Sequence, residues 1–510
     1  MNSLLARLYR WHQKIGFYLA LLIISWGLSG LAHPIISRLN PKPMAFSVPA
    51  EPILLTTEFS LTQLLDDYQI TEVQRLRIFN WQGVPVLRIL HSGTSSYFNL
   101  NTREKINAGE NKYAHYLARY YSGDHDSAIK NTSQLSEFNS DYHYINRLLP
   151  ITRVDLERGD GLRIYIDTDS GRLGTLSNDR KYLTGTLFRN LHSWVFIDNI
   201  GLRTTVMLAT LTLGFLISAV GLWLYIALWR NGRFQHHHDR DRRWHRSLGA
   251  FFALAAMGFC FSGALHVWHK FANSQQGFEA RNSQIAQNYA AQSLRLTSDN
   301  LNKVLAKQSV SDIQLITLND RPSWRLKIHQ QKKSHHQHHH SGQKQQAQVQ
   351  QAIYLNAKNL DIIAQGEVKH ATYLAKKFFS DDKKITHQQT YEPKLITHFG
   401  GDYGFVNKRL PVYKIDFDQP GKPTLYVENS TNTLAAAVDN SARIEGLSFA
   451  YLHKWHHLDF LGKTMRDSIS VFFAVGIVVT IMLGMWRYGL RHGWVQRKPR
   501  RKRMTAEENK

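Results

Sequence analysis

Residues 10–33, RWHQKIGFYLALLIISWGLSGLAH, and residues 243–266, RWHRSLGAFFALAAMGFCFSGALH, decide how this chain folds. The same residues recur in the two stretches at a constant offset of 233 positions. The matched residues are Arg10, Trp11, His12, Gly16, Ala20, Ser29, Gly30 and His33 and, in the same order, Arg243, Trp244, His245, Gly249, Ala253, Ser262, Gly263 and His266. A repeat with so long a period predicts a chain built from two copies of one structural unit.

Four apolar runs without any charged residue are long enough to cross a membrane. They cover residues 15–37, 204–229, 247–269 and 468–486. A helix rises about 1.5 Å per residue and the hydrocarbon layer is about 30 Å thick, so each run is near the ~20 residues required. We therefore predict a membrane α-helical fold with four transmembrane helices, of which the first is retained and not cleaved as a signal peptide.

The formal net charge of +24 does not point to nucleic acid, because the basic residues flank the apolar runs. Basic segments at 1–14, 230–246 and 487–510 predict a cytoplasmic N-terminus, loop and tail by the positive-inside rule. Residues 38–203 and 270–467 are then expected on the opposite side, since long loops cross largely regardless of their own charge. Both large segments are therefore expected outside the cytoplasm, and the termini inside it.

Each outer segment is predicted to fold as a small α+β domain. Helical spacing at 61–68 and 300–307 and alternating strand patterns at 84–90, 162–166, 323–328 and 424–427 support this. Arg147-Leu148-Leu149-Pro150 in the first segment matches Lys408-Arg409-Leu410-Pro411 in the second. The only cysteine, Cys260, lies in the third apolar run, so the domains must be stabilised by their own cores.

The second outer segment carries an insertion at 330–351 that is rich in His and Gln. Its composition favours a solvated excursion from the domain, because it cannot form a packed core. A metal-gathering loop is the alternative, and its histidines are His335, His336, His338, His339 and His340. The cytoplasmic His236, His237 and His238 have weaker support for such a role.

A second histidine motif completes the repeat. The spacing H-x-W-x-x-x-D-x-x-G begins at His192 and again at His453, just before the second and fourth apolar runs. Three histidine pairs are thus repeated: His12 with His245, His33 with His266, and His192 with His453. Ionisable side chains at membrane depth are costly and usually functional, so repeated ones predict a functional site.

The histidine spacing predicts two sites, one near each membrane face. His12 and His33 are 21 residues apart, as are His245 and His266, which is about 31 Å along a helix. Both copies start inside, so they are parallel repeats about a pseudo-twofold axis along the membrane normal, and equivalent residues face each other. Two facing imidazoles suit the iron of haem b better than zinc, which prefers four ligands.

We predict haem b, with two haems as the expected number. His12 and His245 would hold the inner haem, and the outer ligands come from His33, His192, His266 and His453. Two of these four suffice for one outer haem, whereas cross-pairing His33 with His192 and His266 with His453 would give two. His269, His456 and His457 occur in one copy only and are additional candidates for binding iron near the outer surface.

The sequence also limits the electron donor. It has no C-x-x-C-H motif for covalent haem and no G-x-G-x-x-G or P-loop motif for a nucleotide. The expected donor is therefore quinol or a separate cytoplasmic protein.

On these residues the chain resembles the PepSY-associated transmembrane proteins, also called iron-regulated membrane proteins, which include ferric-siderophore reductases. The resemblance covers nearly the whole chain, apart from the insertion at 330–351. It implies a location in the bacterial inner membrane, PepSY-type domains in the periplasm, b-type haems on transmembrane histidines, and reduction of ferric iron at the periplasmic side.

The function hypothesis is a haem-dependent ferric-chelate reductase that passes electrons across the membrane, with a ferric siderophore as the expected substrate. The alternative is a haem-free membrane binding or regulatory protein whose PepSY-type domains act on peptides or a protease. A metal permease is disfavoured because the four apolar runs contain no acidic residue.

Overall fold

A computed structural model of the chain describes residues 3–45, 47–55, 58–232, 240–275, 284–285, 287–305, 308–329, 351–380 and 391–494. The chain forms two compact units. The membrane unit consists of Met1–Leu39, Thr184–Gln275 and Ile444–Lys510, and the domain unit consists of Asn40–Leu183 and Gln276–Arg443. The histidine-rich insertion and His236 to His238 lie outside the described residues, so their predicted roles stay predictions.

The α-helices of the described residues are α1 (Ser3–Leu39), α2 (Leu61–Asp67), α3 (Gly109–Ser122), α4 (Asp179–Ser193), α5 (Ile200–Arg230), α6 (Arg240–Gln275), α7 (Ser298–Leu305), α8 (Gly366–Ser380), α9 (Asn440–Ser448) and α10 (Lys463–Arg491). The strands are β1 (Glu72–Val73), β2 (Arg75–Trp81), β3 (Val84–His91), β4 (Thr94–Asn99), β5 (Ile129–Leu135), β6 (Ile151–Leu156), β7 (Arg163–Asp167), β8 (Arg172–Ser177), β9 (Tyr289–Ala290), β10 (Val310–Leu318), β11 (Arg321–Ile328), β12 (Ala352–Asn356), β13 (Lys394–Ile396), β14 (Val412–Asp416), β15 (Thr424–Glu428) and β16 (Thr433–Val438).

Helices α1, α5, α6 and α10 are long and apolar enough to cross a membrane. Each contains one of the four predicted runs and continues past it at both ends, because charged residues suit helix ends that reach the polar interface. The end of each helix that connects to the domain unit is called the domain side here, and the opposite end the terminal side. The part of the chain that the structure describes therefore has four candidate membrane-spanning helices.

The spanning helices form a bundle in which α1 and α6 are diagonal. Helix α1 packs against α5 and α10, and α6 packs against the same two helices. A Cβ added at Gly214 of α5 would lie 3.1 Å from Cys260 Sγ and 3.4 Å from Ile23 Cδ1. Residues near the middle of α1 and α6 thus meet at one level. His12 and His245, near the N-terminal ends of the same two helices, also lie together, so α1 and α6 run in parallel.

The domain unit contains one sheet built from both outer segments. Its strand order is β12-β11-β10-β2-β3-β4, and the antiparallel pairing of β10 with β2 joins the two segments. The described part of the unit also contains two antiparallel four-stranded sheets, β5-β6-β7-β8 and β13-β14-β15-β16, and the two-stranded sheet β1-β9. The two outer segments therefore share one sheet, in which the pairing of β2 with β10 covers an edge that each segment would otherwise expose.

Reciprocal polar contacts also join the two segments. Lys408 Nζ donates to Asn146 Oδ1 at 2.9 Å, and Arg147 donates to Asn407 Oδ1, so each segment offers the other the same kind of contact. Tyr142 and Tyr403 occupy equivalent places, since each hydroxyl donates to the carbonyl six residues later.

A buried carboxylate adds a charged link between the outer segments. Glu428 is fully buried and pairs with Arg172 and, at 2.7 Å, with Arg409. Burial alone would raise the pKa of Glu428, but these two guanidinium groups hold it well below its ordinary value. Glu428 is therefore an anion that holds both segments together.

Candidate functional site

The first histidine pair lies on the terminal side of the bundle. His12 is three turns into α1, His245 is in the second turn of α6, and their ring centres are 6.4 Å apart. Because α1 and α6 are diagonal, the two imidazoles face each other across the bundle interior.

Two of the flanking helices support this pair. The carbonyl of Thr480 on α10 is 3.0 Å from His245 Nδ1. A carbonyl can only accept, so His245 Nδ1 carries the proton and its Nε2 has a free lone pair. His12 Nδ1 is buried, and the carbonyl of Ile217 on α5 interacts with it at the matching place but outside hydrogen-bond geometry.

Glycines make room for both rings. A Cβ added at Gly221 on α5 would lie 3.0 Å from His12 Cε1, and one added at Gly484 on α10 would lie 3.0 Å from His245 Cε1. That separation is shorter than normal carbon–carbon packing of roughly 3.5–4.0 Å. The site thus depends on a missing side chain behind each imidazole.

The second pair is His192 with His453, nearer the domain side. Their ring centres are 6.3 Å apart. His192 is near the end of α4, and His453 is in the π-helical turn Phe449–His453 that follows α9. The histidines of the two H-x-W motifs therefore lie next to each other.

Serine residues fix the tautomer of both rings in the second pair. Ser29 Oγ donates to the Trp26 carbonyl and lies 3.0 Å from His192 Nδ1. Because this hydroxyl already donates its own proton, it accepts a hydrogen bond from Nδ1–H of His192. The Nε2 atom of His192 then keeps a free lone pair. Ser262 repeats the arrangement, because it donates to the Gly258 carbonyl and lies 3.3 Å from His453 Nδ1.

The remaining repeated histidines lie behind phenyl rings. The Phe188 ring is 5.3 Å from the ring of His33 and 4.8 Å from that of His192. Likewise, the Phe449 ring is 4.6 Å from the rings of both His266 and His453. Cross-pairing of His33 with His192, or of His266 with His453, would require these phenyl rings to move away.

His266 has a partner that the repeat did not indicate. Its Nδ1 is 2.6 Å from Glu445 Oε1, whereas Thr184 occupies the corresponding place in the first copy. Glu445 also interacts with His269, one of the single-copy candidates. The carboxylate therefore marks a difference between the two copies.

The other single-copy candidates lie in the 3₁₀ turn His456–Leu461, which precedes α10. His456 Nδ1 is 2.9 Å from both Asp459 Oδ2 and Arg466 Nη1. His457 stacks at 6.3 Å on Tyr451. Within the described residues, no group of three His, Cys, Asp or Glu side chains is placed to hold a metal ion, these two included.

The two facing pairs fit haem iron in number and spacing. An imidazole nitrogen bound to a metal at roughly 2 Å puts the ring centre about 3 Å from the metal, so two rings on opposite sides of one ion are about 6 Å apart. Both pairs have this spacing. Haem iron takes its equatorial ligands from the macrocycle and needs only axial protein ligands, whereas a structural zinc needs four protein ligands.

Sequence reasoning found the histidines but not the groups that orient them. Ser29 and Ser262 are visible in the repeat, and their recurrence four residues before a histidine was the available signal. Thr480 and Glu445 have no repeated counterpart of the same type, so no pattern singles them out.

Comparison with known proteins identifies the family. A search of curated proteins finds no match. The family described as PepSY-associated TM region matches residues 9–497, which is essentially the whole chain. The chain therefore belongs to the PepSY-associated transmembrane family.

Proposed function

We propose that this protein is a membrane oxidoreductase that binds two b-type haems and passes electrons across the bacterial inner membrane to a ferric chelate, such as a ferric siderophore, in the periplasm. In this proposal the spanning helices form two parallel pseudo-symmetric repeats with cytoplasmic termini. The observation that carries the proposal is the presence of two facing histidine pairs, each with one member from either copy.

His12 and His245 would hold the iron of one haem, and His192 and His453 that of the other. Haem iron supplies one-electron redox chemistry between its ferric and ferrous states. The chain's own residues prepare the ligands for this role. Thr480, Ser29 and Ser262 hold the Nδ1 protons of three imidazoles, which directs each Nε2 lone pair away from its supporting helix.

The separation of the two pairs supports transfer through the bundle. Ser29, which contacts His192, follows His12 by 17 residues on α1, about 25 Å along the helix axis. Two redox centres at these levels would divide electron transfer across the membrane into shorter steps. The electron donor would be quinol or a separate cytoplasmic protein, because the sequence holds no nucleotide-binding motif.

Haem content of purified histidine variants tests the ligand assignment. We expect the wild type to contain two haems per chain by pyridine haemochrome titration. His12→Ala and His192→Ala should each lose one haem. His33→Ala and His266→Ala are the matched controls, because these repeated histidines are separated from the second pair by Phe188 and Phe449.

The control variants should keep both haems. A wild-type protein without haem would refute the proposal and favour the haem-free binding or regulatory alternative. Equal haem loss in the His33→Ala variant would instead show that the outer ligands are cross-paired.

A further inference from the structure

The second histidine pair lies on segments that the four spanning helices do not include. His192 belongs to α4 and His453 to the turn after α9, and both precede the spanning helices α5 and α10. Their sequence places them in the polar outer segments. Their contacts, however, lie deep along the spanning helices.

Helix α1 gives the depth of His192. Trp26 Nε1 donates to the His192 carbonyl at 2.8 Å, and Ser29 contacts its ring. The uncharged run of α1 lies between Lys14 and Arg38 and is centred on Trp26. A hydrocarbon layer about 30 Å thick, centred there, ends about ten residues beyond Trp26, which puts Ser29 about 10 Å inside its domain-side boundary.

Helix α6 gives the same result for the other copy. Its uncharged run lies between Arg246 and Lys270 and is centred on Gly258. Ser262, which contacts the ring of His453, then lies about 9 Å inside the domain-side boundary. Leu452 is deeper still, because a Cβ added at Gly258 would lie 3.8 Å from its backbone oxygen.

Helix α10 provides an independent depth marker. The ring of Trp455 is 4.7 Å from that of Phe473, which lies ten residues after the start of α10 at Lys463. Phe473 is about 15 Å along the axis from the start of α10, so the Trp455 ring lies near that depth, and the chain returns through the 3₁₀ turn His456–Leu461. Trp194 makes the same descent in the first copy, where it stacks on Trp26 at 4.6 Å.

Apolar side chains are exposed along both descending segments. Leu187 and Leu191, one turn apart on α4, are 53% and 48% exposed. In the second copy, Leu447 and Tyr451 are 57% and 49% exposed. At the depths given by α1 and α6, these faces continue the apolar surface of the spanning helices, so lipid chains are the occupant that fits them.

We propose that residues 184–199 and 444–462 are re-entrant membrane segments that carry His192 and His453 about 10 Å into the hydrocarbon layer and expose their apolar faces to lipid chains. Irregular backbone at such depth needs protein contacts, and here His192 contacts α1, Leu452 lies against α6 and Trp455 against α10. The inference rests on packing alone and does not require haem.

If the proposed function also holds, a dissolved ferric chelate cannot touch this pair directly. The rings nearest the surface would be those of His33 and His266, which follow Ser29 and Ser262 by four residues and are thus about 6 Å closer to the boundary.

Spin-label accessibility in lipid vesicles tests the proposal. In a Cys260→Ser background, single cysteines at Leu191 and Leu452 would carry nitroxide labels. Leu28, 54% exposed on α1 beside Ser29, is the matched depth reference, and Ile35, 64% exposed, marks the boundary level. We expect the ratio of oxygen to nickel-chelate accessibility at Leu191 to match that at Leu28, the ratio at Leu452 to be at least as high, and both to exceed that at Ile35.

Asp179, whose side chain is 70% exposed at the start of α4, is the aqueous control. The proposal is overturned if the labels at Leu191 and Leu452 are as accessible to the nickel chelate as the label at Asp179. It is also overturned if both labels read shallower than Ile35. Monodisperse elution of every labelled variant excludes misfolding as the cause.

Discussion

Alanine at Gly221 or Gly484 would perturb the first histidine pair without altering either imidazole. Each added Cβ would lie 3.0 Å from the Cε1 atom of His12 or His245. Carbon atoms pack at roughly 3.5–4.0 Å, so each ring would have to retreat by about 0.5–1 Å. Metal–ligand distances in real sites vary by only about 0.2 Å, so the ring would leave bonding distance.

The expected result is loss of one haem from each variant. Removing a group that supports a metal ligand typically costs about 10- to 100-fold in affinity, and we expect a loss in that range. Alanine is better than glycine inside a helix by about 1 kcal/mol, so helix propensity acts in the opposite direction and cannot explain the loss.

Pyridine haemochrome titration of the purified variants measures the effect. Gly30→Ala is the matched control, because a Cβ at Gly30 meets no atom within 4 Å. The reasoning is refuted if Gly221→Ala and Gly484→Ala keep the haem content and reduced spectrum of the Gly30→Ala protein.

Two further predictions concern the second pair and the domain unit. Ser29→Ala and Ser262→Ala should each lower the affinity for the second haem by about 10-fold, because the Nδ1 proton loses its acceptor. Titration with haemin measures this affinity, and an unchanged value in both variants would contradict the prediction. Glu428→Gln should destabilise the domain unit by about 3–5 kcal/mol at neutral pH, because two buried guanidinium groups lose their anion. Thermal unfolding measures this loss of stability, and Glu157→Gln, at an exposed glutamate, is the control. The pKa of Glu428 is depressed in the folded state, so its contribution to stability is full above the unfolded pKa of about 4.3 and is lost as pH falls further. The difference in stability between wild type and variant should therefore disappear in acid. A difference that does not depend on pH would contradict the ion-pair account.

The sequence allowed the spanning helices and their number to be predicted, because an uncharged run of about 20 residues has few other stable environments. The repeat also allowed the histidines to be grouped into pairs. Both signals are local or periodic, so they can be recognised without knowledge of the tertiary structure.

Other features could not be predicted because they depend on long-range contacts. The pairing of β2 with β10 joins residues more than 230 positions apart, as in the register of Arg77 with Gln314. Likewise, the sequence left four outer histidines as equal candidates, and only the positions of Phe188 and Phe449 distinguish His192 and His453 from the other two.

The depth of the second pair was also hidden from hydropathy. Residues 184–199 contain Arg189, His192 and Asp198, so they hold no uncharged run of about 20 residues, and the sequence predicts an aqueous location. Its apolar side chains occupy one face of α4, and the contact with Trp26 sets its level. Depth is therefore a property of packing and not of composition.

Reoxidation of the reduced protein by ferric chelates tests the central proposal most directly. Protein in lipid vesicles is reduced with stoichiometric dithionite and mixed with a ferric siderophore in a stopped-flow spectrometer, with a ferrous-iron indicator present and the iron-free siderophore as control. We predict that the reduced haem absorbance decays faster with the ferric siderophore than with the control, and that one ferrous ion appears for each haem oxidised. Decay no faster than in buffer for every ferric chelate tested would contradict the reductase function, whatever the haem content.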